Sequence, residues 1–183
     1  MYKKNAWKKY LPDLSQVMDF AEGYKTYLTA SKTERLAVEE SVKLAEANGF
    51  KPLDSFKELK KGDKVYALNK NKNIALFIIG EKPLEAGLRI LGAHIDSPRM
   101  DVKQNPLYEK MDMCYLDTHY YGGIKKYQWV TIPLALHGVV CKKDGTTVKI
   151  AIGEDLNDPV VGITDLLIHL SGNQMQKPAS TVI

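Results

Sequence analysis

With 183 residues, 44% of them hydrophobic and 26% charged, the chain has a globular composition and enough length to bury a core without disulfide or metal staples. The longest unbroken apolar run, residues 74–79, has six members. The basic start Lys3-Lys4-Asn5-Ala6-Trp7-Lys8-Lys9 has no apolar stretch behind it, so neither a membrane partner nor a signal peptide is expected. The net charge of +4 comes from 26 basic against 22 acidic residues, but only Arg35, Arg89 and Arg99 carry the guanidinium fork that reads phosphates and bases. The lysines are scattered, so no nucleic-acid partner is expected either. Cys114 and Cys141 make no disulfide framework; they read as buried free thiols in a reducing, cytoplasmic compartment.

In chain order, Asp13 caps a first helix whose Leu14, Val17, Met18, Ala21 and Leu28 fall at helical spacing, with Tyr24 and Tyr27 extending a buried stripe. Ser31-Lys32-Thr33-Glu34 has the spacing of a capping box and opens a second helix. Its apolar face is Leu36, Ala37, Leu44, Ala45 and Ala47, and Asn48-Gly49 stops it. Residues 64–68 and 74–79 then read as two strands joined by an Asn- and Lys-rich loop. The second is apolar on both faces and is expected inside a sheet covered on both sides. Residues 88–93 (LRILGA) read as a third strand, running straight into His94-Ile95-Asp96-Ser97-Pro98. Helices, a hairpin and a further strand give an α/β layered domain over residues 1–104.

Asn105-Pro106 then breaks the extended stretch, and the composition turns to Tyr, Gly and Met. Residues 134–141 and 146–152 form a hairpin around Asp144-Gly145, residues 154–162 a loop, and residues 166–170 a short apolar segment. Residues 105–183 therefore read as a smaller, β-rich domain.

His94 and Asp96 carry the sharpest chemical signal. They stand where a strand ends, the place at which open α/β sheets put ligand sites. An imidazole there can bind a metal through one nitrogen while the carboxylate two residues on holds the other nitrogen. The same spacing also suits a structural histidine satisfied by its neighbour. His119, beside Tyr120 and Tyr121, and His137, within a strand, read as structural. Glu154, Asp155 and Asp158 read as a solvated acidic turn.

The string Leu91-Gly92-Ala93-His94-Ile95-Asp96-Ser97-Pro98-Arg99-Met100 resembles the first metal-binding segment of the aspartyl aminopeptidase and vacuolar aminopeptidase I family, whose members are dizinc exopeptidases. Asn48-Gly49-Phe50, Lys61-Gly62-Asp63-Lys64, residues 75–80, Tyr121-Gly122-Gly123 and residues 136–140 extend the resemblance over essentially the whole chain. It implies the N-terminal part of a zinc-exopeptidase α/β/α sandwich followed by a β-rich inserted dimerisation domain. It implies His94 as a zinc ligand in a site holding two zinc ions, and Asp96 as the carboxylate orienting it. In residues 163–170, His169 matches the histidine that the inserted domain gives to a neighbouring subunit's active site.

The implied activity is removal of N-terminal residues from peptides by a homo-oligomer. Lys125, Lys126 and Tyr127, and Thr131-Ile132-Pro133 after Trp129, depart from the family's pattern and bear on substrate preference. The family's bridging Asp, Glu–Glu pair, further Asp and distant His have no counterparts; Glu39-Glu40 lie before His94, in the wrong place. The chain thus reads as an N-terminal portion, inactive alone. The alternatives are a non-catalytic oligomerisation subunit or pseudo-enzyme, and a related zinc amidohydrolase.

Overall fold

The computed structural model describes residues 3–183; Met1 and Tyr2, which open the basic N-terminal run, lie outside the described residues. The chain divides into two compact units, Met1–Asp96 and Ser97–Ile183.

In the first unit, a short helix α1 (Trp7–Tyr10) leads into α2 (Leu14–Ala30). Asp13 stands at the N-cap position of α2, but its carboxylate accepts from the Ser15 hydroxyl at 2.9 Å and not from a backbone N–H. The stripe expected to be buried is only partly covered. Val17, Ala21 and Tyr27 are half-buried, whereas Leu14, Met18, Tyr24 and Leu28 are exposed. Helical spacing reports which residues share a face, and coverage depends on the elements that meet that face.

Helix α3 (Glu34–Ala47) starts two residues later than a Ser31 capping box would place it. Thr33 is the cap, its side chain accepting from the Leu36 N–H at 3.3 Å, because Ser31 closes α2 through its own N–H to the Leu28 carbonyl. The Asn48-Gly49 stop forms as expected. Gly49 takes φ +83°, and the Phe50 N–H returns to the Ala45 carbonyl at 3.0 Å.

A three-stranded sheet, ordered β1-β2-β3, packs on α3: β1 (Lys51–Pro52) runs parallel to β2 (Lys64–Asn69), which pairs antiparallel with β3 (Asn73–Ile78). The core lies between α3 and this sheet and consists of Ala37, Val38, Ala45, Val65 and Tyr66. The Tyr66 hydroxyl donates to Glu46 at 2.8 Å across it, a bond that raises its pKa above the ordinary tyrosine value. Arg35 of α3 donates to the Lys70 carbonyl at 3.0 Å and fastens the hairpin loop.

β3 is not the doubly covered strand its apolarity suggests. Among the described residues it has β2 on one edge only, and Leu76, Phe77 and Ile78 are exposed. The strand expected over residues 88–93 does not form either. That stretch has no ladder partner among the described residues, and Ile90 and Leu91 are exposed. Strand propensity alone does not order a segment that lacks a neighbouring strand to bond.

The second unit is built from two antiparallel ribbons. β4 (Arg99–Lys110) pairs with β5 (Met113–Tyr121), and the Asn105-Pro106 break becomes a bulge. Residues 103–106 bulge opposite Asp117 between the pairs Val102·Thr118 and Leu107·Leu116. Pro106 has no N–H to donate, and an interrupted ladder asks for none. The change of character read near residue 105 thus falls inside a strand.

β6 (Leu136–Cys141) and β7 (Thr147–Ile152) form the hairpin expected around Asp144-Gly145. Asp144 accepts from the Thr146 hydroxyl at 2.7 Å and N–H at 2.9 Å, which holds its carboxyl below the usual aspartate range. Cys114 and Cys141 are free but exposed, not buried, because a two-stranded ribbon covers little of itself. No helix among the described residues is long and apolar enough to cross a membrane.

Gly153, after β7, has φ +97°, and a Cβ there would stand 3.1 Å from the Ala135 Cα and 3.3 Å from the Leu134 carbonyl oxygen. Both the backbone conformation and the space exclude a side chain. Gly153→Ala is expected to cost about 2 kcal/mol locally. Amide exchange along β6 and β7 would then quicken by roughly 30-fold; unchanged protection there would contradict the geometry.

Candidate metal-ligand and histidine sites

The segment carrying His94 has no regular secondary structure, and its imidazole turns back on Asp96. His94 Nδ1 lies 3.2 Å from the Asp96 carboxylate Oδ1 and 3.3 Å from the Asp96 carbonyl oxygen. Both partners are acceptors only, so Nδ1 carries a hydrogen and, in the neutral ring, Nε2 the lone pair. That is the tautomer a metal ligand needs, fixed in advance by the residue two places along. The His94 side chain is 84% exposed, so Nε2 is open to approach.

The site is one ligand and its support. Among the described residues, no three His, Cys, Asp or Glu side chains converge on a point where a metal ion could sit. Zinc takes about four ligands. This donor set therefore fits one coordination bond of a zinc site and not the whole of one.

His169 belongs to the second unit, in a single 3-10 turn Ile168–Leu170. It is exposed, as are Leu166, Leu167, Ile168 and Leu170 around it. The turn is anchored at Ser171, 3% exposed, whose hydroxyl donates to the Ile168 carbonyl at 3.0 Å. The ends of the loop are tied by side chains. Asp165 accepts from the Leu166 N–H and from the Gln174 amide, both at 2.8 Å, and the same Gln174 nitrogen reaches the Val182 carbonyl at 3.3 Å. Nothing in the sequence pointed to Gln174, because two residues nine apart in a loop leave no periodic trace.

The other two described histidines lie near carboxylates. His137 Nε2 sits 2.6 Å from Glu154, joining β6 to the acidic turn, whose Asp158 accepts from the Gly153 N–H at 2.9 Å. His119 lies 3.9 Å from Asp101 on one face of the β4–β5 ribbon. On that face Arg99 bonds Asp101 at 2.7 Å and covers the Tyr121 ring at 4.2 Å, and Lys103 meets Asp117 at 3.0 Å. Arg99 and Asp101 are neighbours along β4, and the other contacts are pairs across the ribbon, as cross-strand packing favours.

Residues 27–181 match the family model described as aminopeptidase I zinc metalloprotease (M18). The chain belongs to the M18 family. It is 54% identical over 185 aligned residues to a probable M18 family aminopeptidase 1 of Clostridium acetobutylicum, covering 98% of this chain and 40% of that protein. The crystal structure of aminopeptidase I from the same organism superposes with a TM-score of 0.82 at 49% identity, over all of this chain and 41% of that one. An M18 aminopeptidase structure from Thermotoga maritima superposes with a TM-score of 0.87 at 41% identity, over 99% of this chain and 39% of that one. The mixed α/β fold is thus that of M18 aminopeptidases, a family of zinc metalloproteases. The chain spans about 40% of the length of the M18 relatives it matches.

Proposed function

We propose that this chain works as part of a zinc aminopeptidase that removes N-terminal residues from peptides, with two zinc ions in each active site. The observation that carries the reading is the His94–Asp96 pair, in which the carboxylate leaves Nε2 as an exposed lone pair. Residues 1–104 would belong to the catalytic domain and residues 105–183 to an inserted domain through which subunits assemble. The setting is cytoplasmic.

Zinc, when bound, supplies Lewis-acid polarisation of the scissile carbonyl and lowers the pKa of water. The reading gives this chain's own residues the following tasks. His94 offers Nε2 as one ligand. Asp96 keeps the Nδ1 hydrogen in place, which fixes the ring plane and strengthens Nε2 as a donor. His169, exposed among apolar side chains on the second unit, donates a hydrogen bond to the oxygen that gains charge as the carbonyl is attacked, reaching it across a subunit interface. An exposed histidine with Leu167, Ile168 and Leu170 beside it is the composition of a surface that meets another subunit.

The test is hydrolysis of aminoacyl chromogenic substrates by the complete protein. Activity should vanish on zinc chelation, return with zinc and fail on N-acylated substrates; residues 1–183 alone should be inactive. Turnover indifferent to zinc removal, or equal cleavage of acylated and free amines, would reject the reading.

A further inference from the structure

We propose that Gln174 is a positioning residue for His169, and that its bond to Asp165 sets where the imidazole is presented. The inference rests on the reading of His169 as a donor to the developing oxyanion.

A 3-10 turn of three residues is a poor platform by itself. Its hydrogen bonds are short-range and its side chains fan out to solvent, here with the Leu170 N–H to the Leu167 carbonyl at 2.8 Å and the Ser171 N–H to the Ile168 carbonyl at 3.3 Å. Burial does not hold it either, since Leu166, Leu167, Ile168 and Leu170 are all exposed. Two things restrain the segment. One is buried Ser171, whose carbonyl accepts from the Met175 N–H at 2.9 Å. The other is the Asp165–Gln174 bond, which closes the loop between two residues nine apart that bracket His169.

The chemistry of that bond is specific. A carboxylate accepts only, so the Gln174 side chain must turn its nitrogen to Asp165. Its two hydrogens then find two acceptors, the Asp165 carboxylate at 2.8 Å and the Val182 carbonyl at 3.3 Å. Asp165 is itself fixed by the Leu166 N–H at 2.8 Å. An exposed bond of this kind adds little to global stability, about 1 kcal/mol. A displacement of about 1 Å at a catalytic donor, by contrast, can cost up to about 10²-fold in rate. The brace therefore matters for where His169 points far more than for whether the unit folds.

The experiment uses the complete zinc enzyme. Gln174→Ala should lower kcat about tenfold and leave KM within about twofold, with zinc content and oligomer size unchanged. Gln174→Glu, which sets two carboxylates face to face, should be at least as slow. The double variant Asp165→Asn/Gln174→Glu reverses the polarity of the bond, because the introduced amide donates to the introduced carboxylate, and should recover part of the lost kcat although the Val182 carbonyl loses its donor. In a His169→Ala background, Gln174→Ala should cost nothing further.

Unchanged kcat in Gln174→Ala, while His169→Ala is slow, would overturn the brace and leave the role of His169 standing. Normal turnover in His169→Ala would overturn both. Loss of zinc or assembly in Gln174→Ala, failure of the polarity-reversed pair, or a full further loss in the His169→Ala background would show that Gln174 acts on something other than His169.

Discussion

His94→Ala in the complete enzyme is expected to lose at least one zinc ion per subunit and to fall to background turnover. A zinc centre has about four ligands, and a missing imidazole cannot be replaced by a solvent molecule without weakening the whole set. The neighbouring Asp96→Asn separates holding from orienting. An asparagine can turn its oxygen to Nδ1 but contributes no charge, so zinc affinity is expected to fall about 10–100-fold while the site still fills at high zinc. Metal analysis after dialysis checks both. Full retention of both metals with normal activity in His94→Ala would remove His94 from the site, whatever the family of the chain.

His169→Ala is expected to behave in the opposite way, keeping zinc and assembly and losing about 10²–10³ in kcat with KM nearly unchanged. That is the signature of one missing oxyanion donor, an interaction made in the transition state and not in the ground state. Because the donor is assigned to a neighbouring subunit's site, mixing His169→Ala with His94→Ala should restore part of the activity. Some mixed dimers pair an intact metal site with an intact histidine. Mixed dimers that form, as shown by differential tagging, and yet remain inactive would return His169 to a structural role.

Local chemistry made some of this legible in the sequence. Asn48-Gly49 ends α3 because glycine alone takes the left-handed conformation freely, and Asp144-Gly145 marks the β6–β7 turn for the same reason. The pairing of His94 with Asp96 follows from two residues of reach and needs no distant contact. The β4–β5 ribbon was hidden because its turn uses Met111 and Asp112, both at positive φ (56° and 58°), in place of an Asn-Gly signal. Pro106 concealed it further, since a proline argues against a strand unless a bulge excuses the missing donor. Residues 88–93 as a strand, and the double cover of β3, differ for another reason: pairing and cover are supplied by partners that a local pattern does not name. The same holds for the Asp165–Gln174 bond, which exists only once the chain has turned back on itself.

The open edge of β3 bears on how the protein comes into being. Residues 74–79 join strong strand formers without a charge, and Leu76, Phe77 and Ile78 face solvent beside backbone groups that no second strand among the described residues pairs. Such a segment is a template for the same segment on another molecule. On the ribosome it emerges before every residue that follows it, so crowded nascent chains face a period in which cross-pairing competes with native assembly. Lys64, Lys70 and Lys72 flank the run and its partner strand, and their shared positive charge repels a second copy approaching in register.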